Sequence, residues 1–264
     1  LDDVNMIDPY HLEAYGQTTV NYNRDVEIFP VLEAMFKRIY GESPYKSPTD
    51  MGVNMIGYCI ADDAVCCAAA KQEIIRRYYA AACAAHQGLS EAGEARRIEL
   101  VMSTAGISAD DRPVVAAALS RAAETGAPTV SIELPDGRII TGKTSSLLGP
   151  ASACLMNALK ALAGIDKKML LIPPSIIEPI QHLKVEHMGN HNPRLHTDEL
   201  LIALSICAVT NPIAGYAIDQ LDKLRGCEAH STVILSHVDL DQFKKLGINM
   251  TCEPRYQVKK LYHK

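Results

Sequence analysis

Thr129-Val-Ser-Ile-Glu-Leu134 and Arg138-Ile-Ile-Thr-Gly142 flank Pro135-Asp136-Gly137. Two short β-prone runs on either side of turn-forming residues predict a hairpin. The hairpin constrains the fold through what surrounds it. Asp111, with Pro113 two places on, predicts a helix start before it, running to about residue 125. After it come a helix over about 149–163, a strand Met169–Ile172, and a helix beginning past Pro173-Pro174. Helices over about 197–210 and 212–224 follow, then a strand Ser231–Leu235, a helix over about 239–246, and a strand Ile248–Cys252. Strands separated by helices predict a largely parallel mixed sheet covered by helices, so the fold class is α/β with α+β character.

Upstream the pattern is different. Residues 23–40 carry Ile28, Leu32, Met35, Phe36 and Ile39 at helical spacing, with Pro30 expected to start or kink the helix. Residues 42–58 read as a structured loop, about 62–87 as a long Ala-rich helix, and a further helix runs from Ser90 to about 105. Two parts follow: 1–110 as a mixed loop and helical domain, and 111–264 as a three-layer α/β subdomain.

Hydrophobic residues make up 48% and charged residues 22%, the balance of a globular chain. A net charge of −5 gives no electrostatic reason to expect nucleic acid or an acidic membrane as partner. The eight cysteines are scattered through apolar runs without a Cys-x-x-Cys pair, which reads as reduced thiols in a cytoplasmic protein. The densest apolar windows are too short or too broken by charge to span a bilayer. The chain starts at Leu1 within acidic, polar sequence, and we expect it to be preceded by further protein.

The first 58 residues concentrate polar and reactive side chains: His11 and Tyr15, then Asn21 to Asp25, then Tyr45 to Asn54. No motif of known mechanism is among them. His11, Arg24, Lys46 and Asp50 are the candidate site residues here, because binding groups concentrate on loops held by a scaffold. A polar interdomain surface with local turns explains them equally well. His182, His187, His191 and His196 could gather around a metal, but Gly189, Asn190, Asn192 and Pro193 make the segment a loop and no Cys or Asp is interleaved. We expect surface histidines and no metal site. In Gly226-Cys-Glu-Ala-His230-Ser-Thr232, His230 is a candidate partner for Cys227, although three residues along an extended chain do not bring the two together. Thr141-Gly-Lys-Thr-Ser-Ser146 fails the phosphate-loop pattern, leaving only a hydroxyl-rich loop that could hold an anion.

The order of elements from 112 resembles the cytidine-deaminase-like fold, which opens with a helix and an antiparallel hairpin. Zinc-dependent deamination would need His-x-Glu or Cys-x-Glu at one helix start and Pro-Cys-x-x-Cys at the next. This chain has Pro150-Ala-Ser-Ala-Cys154 and Pro174-Ser-Ile-Ile-Glu178 instead. The resemblance therefore comes without zinc ligands, and a zinc-dependent hydrolase is disfavoured. Glu178 would sit near such a pocket, and is a candidate on that ground; a first-turn carboxylate on a helix dipole is the plainer account.

Longer runs carry a closer likeness. Asp3 to Gly16, Val20 to Asp25, Tyr45 to Asn54, Lys71 to Tyr78, Leu204 to Ala208, Gly226 to Thr232 and Lys245 to Ile248 resemble the bacterial family called domain of unknown function 1846. The likeness covers essentially the whole chain. It implies the C-terminal half of a protein about twice as long, whose missing N-terminal half in the family resembles a nucleotide-binding α/β domain with a Gly-rich, phosphate-loop-like stretch. Some members carry the label of ATP-dependent peptidase, which no residue run here supports. The family establishes no catalytic residues.

The reading that follows is an uncharacterised enzyme half, completing a small-molecule or nucleotide-linked site with the missing N-terminal domain. A nucleotide would reach it only through that domain, and the chain itself points to no cofactor. The rival is a non-catalytic binding or assembly module, with homo-oligomer contacts as a further use of the polar segment.

Overall fold

A computed structural model describes residues 23–48 and 63–257, which fall into two compact units, 1–112 and 113–264. Among the described residues the first unit is helical. Helix α1 (Asn23–Tyr40), α2 (Asp63–His86) and α3 (Ala92–Ala105) are followed by a 3-10 turn, Ala109–Asp111. Pro30 lies inside α1 and does not end it. The buried face of α1 is Val26, Phe29 and Pro30, while Met35 and Ile39 of the expected stripe are exposed. The stripe is therefore rotated toward the N-terminal half of the helix. Ile74, Ile75 and Tyr79 of α2 and Ile98 and Met102 of α3 complete this core.

Charge ties the three helices together. Glu27 of α1 accepts from Arg77 of α2 at 3.2 Å and from Arg97 of α3. Burial alone would raise the Glu27 pKa, but the hydrogen bonds from Arg97 and Arg77 outweigh it and hold it below the usual value. Helix α3 ends at Gly106, whose φ of 66° is left-handed and suits glycine, with Ile107 N–H closing on Met102 at 2.8 Å. The fully buried Arg112 donates to Gln72 at 3.2 Å, and Lys71 pairs with Asp111, so 111–112 is clamped to α2.

The second unit contains the sheet. Helix α4 (Pro113–Thr125) precedes β1 (Thr129–Glu133) and β2 (Ile139–Lys143), joined by the turn read from Pro135-Asp136-Gly137. Gly137 has φ 80°, and Asp136 accepts from Arg138 N–H. Then come α5 (Pro150–Leu162), α6 (Pro174–His182) with a π-helical turn Leu183–His187, α7 (Thr197–Ala208), α8 (Pro212–Ile218), a 3-10 turn Leu221–Leu224, β3 (Glu228–Ser231), α9 (His237–Lys245) and β4 (Asn249–Cys252).

The strand order is β2-β1-β3-β4. Two of its three neighbouring pairs are antiparallel and only β3–β4 is parallel, which corrects the expectation of a largely parallel sheet. A second correction concerns Met169–Ile172, which forms no strand. Leu171 and Ile172 are buried, yet Leu170 is 67% exposed, and Pro173-Pro174 supplies no backbone N–H to a ladder. The strand expected at 231–235 instead begins at Glu228 and ends at Ser231.

Helices cover opposite faces of the sheet. Successive strand residues alternate faces, and cross-strand partners share one. Gly142, opposite Val130, lies directly against α5: a Cβ there would come within 2.0 Å of the Cys154 backbone nitrogen. Ser131, the next residue along β1, points the other way and donates to the Val114 carbonyl of α4 at 2.5 Å.

Candidate functional site

The structure places three of the six candidate side chains. Lys46 is exposed, and its carbonyl accepts from Cys67 at 3.1 Å. Glu178 is exposed on the outer side of α6. His230 is fully buried in β3, with Nδ1 2.9 Å from Thr251 Oγ1 and Nε2 3.2 Å from Glu253. Cys227 donates to the Lys223 carbonyl, and burial pushes its thiol up to about 11. His11 and Asp50 lie outside the described residues, as does the side chain of Arg24.

Thr144 and Ser145 of the loop at 141–146 spend their backbone amides on neighbouring protein carbonyls. Thr144 N–H bonds Pro128, Ser145 N–H bonds Leu148, and Ser145 Oγ accepts from Leu147 and Leu148. Its structural role is to receive the segment before α7: Leu195 N–H bonds the Leu147 carbonyl at 3.0 Å, and Arg194 Nε bonds the Ser145 carbonyl at 2.7 Å.

The four histidines of 182–196 divide. His182 and His187 bring their rings to 5.8 Å across the π-helical turn. His196 turns away into a polar network that the sequence reading did not assemble. Among the described residues, no three His, Cys, Asp or Glu side chains gather as a metal site.

The network forms where two helices begin. Asp239 occupies the first turn of α9, where Ser236 caps it: Ser236 Oγ accepts Asp239 N–H at 3.2 Å and donates to Asp239 Oδ2 at 2.7 Å. The other carboxylate oxygen accepts from Thr197 N–H at 2.9 Å and Thr197 Oγ1 at 3.1 Å, at the start of α7. One buried carboxylate thus faces the positive ends of two helix dipoles. His196 Nδ1 is 3.0 Å from Asp239 Oδ2. On the far side, Glu199 Oε2 accepts His196 N–H at 2.8 Å and the Lys184 ammonium at 2.7 Å. Lys184 is almost wholly buried and also donates to the Arg194 carbonyl.

The electrostatics follow from these contacts. The hydrogen bond to Asp239 raises the His196 pKa, with burial opposing it. Burial would raise Asp239, but its bonds from His196, Ser236 and Thr197 bring it below the usual carboxylate value. With Nδ1–H held by the carboxylate, the neutral imidazole carries its lone pair on Nε2. That nitrogen has no partner among the described residues, and the side chain is 24% exposed. The result is an oriented imidazole with one open nitrogen, suited to proton transfer or to accepting a ligand hydrogen bond. Ser236 is not its nucleophile, because Ser236 Oγ stands 3.2 Å from Nδ1, the nitrogen Asp239 already uses.

His196 and Asp239 are absent from the linings of the unit's main cavities. A cavity of about 510 Å³ opens beside the end of α4, lined by Ala123, Gly126, Thr232 and Arg255 among others. Two smaller ones flank α5. A carboxylate 43 residues from its histidine leaves no local spacing signal; the available one was Ser236-x-x-Asp239, a capping box that reads as structure.

Fold and site together define a mixed α/β protein with a four-stranded sheet and a histidine–carboxylate pair at two helix starts. The chain belongs to the family of "Domain of unknown function DUF1846": the model of its N-terminal domain matches residues 1–106 and that of its C-terminal domain residues 110–262. It is similar to a "UPF0371 protein" of Streptococcus thermophilus, 56% identical over 264 residues, covering all of this chain and 53% of the relative. A "UPF0371 protein CE2832" of Corynebacterium efficiens is 56% identical and a "UPF0371 protein" of Streptococcus pneumoniae 53%, with the same coverage. The chain thus spans about half the length of the curated relatives it matches. No helix among the described residues is long and apolar enough to cross a membrane.

Proposed function

We propose that this chain is half of an enzyme, and that His196 is the acid–base group of a small-molecule or nucleotide-linked site completed by the other half of the full-length protein. One observation carries the reading: His196 presents Nε2 with no partner among the described residues, while Asp239 fixes Nδ1. Orienting an imidazole through a buried carboxylate is how proteins prepare a general base. His196 lines none of the three cavities described above, which fits a substrate surface supplied elsewhere in a protein of about twice this length. His11, Arg24, Lys46 and Asp50 remain candidates for a separate site in the first unit, Glu178 for a deaminase-like pocket in the second, and His230 as a partner for Cys227. We read α4, the β1–β2 hairpin and α5 as the part of the chain that corresponds to that fold. The whole is read as a cytoplasmic protein.

A thermal-shift screen of the full-length protein against nucleotides and common metabolites tests the proposal. A hit that His196→Gln abolishes, with folding intact, supports it. A hit unchanged in His196→Gln and lost in Lys46→Ala moves the site to the first unit. A rival reading, a non-catalytic assembly module, rests on the bonds by which Asp239 and Lys184 already tie one segment to another. It is favoured if His196→Gln alters the oligomeric state and no ligand shifts the melting.

A further inference from the structure

The two cavities beside α5 have different chemistry and share two side chains. The first, about 170 Å³, is lined by Leu147, Met156, Leu171, Ile172, Ile177 and Leu200, together with Asn157 and Lys160. The second, about 180 Å³, has Thr141, Ile165 and Lys167 around the same Asn157 and Lys160. Leu171 and Ile172, buried without forming a strand, line the apolar cavity together with the exposed Leu170. A dry cavity of about 150 Å³ accepts a benzene-sized group, so the first has room for one ring or branched aliphatic body.

Lys160 carries the argument. It is only 7% exposed, yet among the described residues its ammonium has a single hydrogen-bond acceptor, the Lys167 carbonyl at 3.2 Å. Three N–H groups are available on an ammonium, so two remain. The carboxylate of Asp166 is near enough to favour the charged form but makes no ion pair with it, and burial holds the Lys160 pKa below its usual value. A buried cation without a paired anion is costly. Lys167, whose carbonyl takes the Lys160 hydrogen bond, also lines the second cavity. Asn157 spends its amide on the Thr141 carbonyl at 2.9 Å, which fixes the wall between the two spaces.

We infer that the apolar cavity binds a small organic acid, its apolar body between α5 and α6 and its carboxylate on Lys160. Two oxygens of one carboxylate meet the two remaining N–H groups, and the ligand supplies the charge the protein leaves unmatched. The site is separate from His196 and does not rest on the acid–base proposal.

The test uses the full-length protein with 3-phenylpropionate, the neutral 3-phenylpropanol, and inorganic phosphate, followed by titration calorimetry. The acid should bind at least tenfold more tightly than the alcohol, and phosphate should not compete. Lys160→Met should remove the preference of acid over alcohol, and Ile177→Phe should weaken both organic ligands by filling the cavity. Where either variant fails to fold by circular dichroism, the native protein decides: reductive dimethylation of Lys160, read by mass spectrometry, should be slowed at a concentration of the acid at least tenfold lower than that of the alcohol. Absence of binding by the native protein, equal binding of acid and alcohol, or a folded Lys160→Met that keeps the acid preference would each overturn the inference.

Discussion

His196 Nδ1 and Asp239 Oδ2 stand 3.0 Å apart, and the same carboxylate accepts both the backbone and the hydroxyl of Thr197. Asp239 therefore fastens the start of α7 to the start of α9 while it orients the imidazole. Asp239→Asn keeps the shape and removes the charge. We expect a loss of about 2 kcal/mol in unfolding free energy, the scale of a charge-assisted hydrogen bond network. Denaturant titration of the two proteins measures it, and a change under a few tenths would mean the carboxylate is not bonded as described.

The same pair sets a pH dependence. His196 has a raised folded pKa, so its contribution is complete below the ordinary imidazole value of about 6.5 and is lost as pH rises through the folded value. Asp239 has a depressed folded pKa, so its contribution is present above the ordinary carboxylate value of about 3.9 and is lost as pH falls through the folded value. The melting-temperature gap between the native protein and His196→Gln should be widest between about pH 4 and 6.5 and narrow on the alkaline side. A gap that grows above neutrality would contradict the pairing.

Lys184 and Glu199 make a second, more buried link, 2.7 Å long. Removing one partner leaves the other charge uncompensated, so Lys184→Met alone should cost about 3 kcal/mol. In Lys184→Met with Glu199→Gln the cost should be partly recovered. The double-mutant cycle reads the coupling directly, and strict additivity would show that the two charges do not interact.

Gly142 admits no side chain. A methyl group there would meet the backbone of Cys154, which cannot yield as a flexible side chain would. Gly142→Ala should destabilise the second unit by about 3 kcal/mol through forced separation of helix and strand. Urea unfolding followed by circular dichroism provides the check, and a neutral substitution would mean that α5 sits further from β2 than described.

Buried thiols should resist alkylation. Burial lifts the Cys154 thiol far above its ordinary pKa and makes it a poor nucleophile. Iodoacetamide at neutral pH should leave Cys154 and Cys252 unmodified until denaturant is added, as peptide mapping would reveal. Rapid native labelling of Cys154 would place it at the surface instead.

The local signals were legible and the distant ones were not. Pro135-Asp136-Gly137 announced the hairpin because a turn is a property of adjacent residues. Met169–Ile172 misled because four apolar residues look alike in a strand and in a segment that lines a cavity. The orientation of β3 against β1 was hidden as well, since pairing direction depends on chain far outside any local window. His196, expected as a surface histidine of the 182–196 loop, is held by a buried acid, and its partner 43 positions downstream lay beyond any local pattern.

The neighbour relation between β1 and β3 also governs the order of events during synthesis. Thr129 N–H bonds Thr232 Oγ1, a partner 103 residues later. The hairpin is complete as soon as Lys143 emerges, yet one side of its inner strand stays unpaired until Glu228–Ser231 is made. At about 5–20 residues per second, the ribosome leaves that edge open for roughly 5–20 seconds. An unpaired strand edge of this kind recruits other chains. The nascent protein thus passes through an interval in which β1 is a template for association, and a chaperone or a slow-down of translation near residue 143 would change its yield more than its final stability.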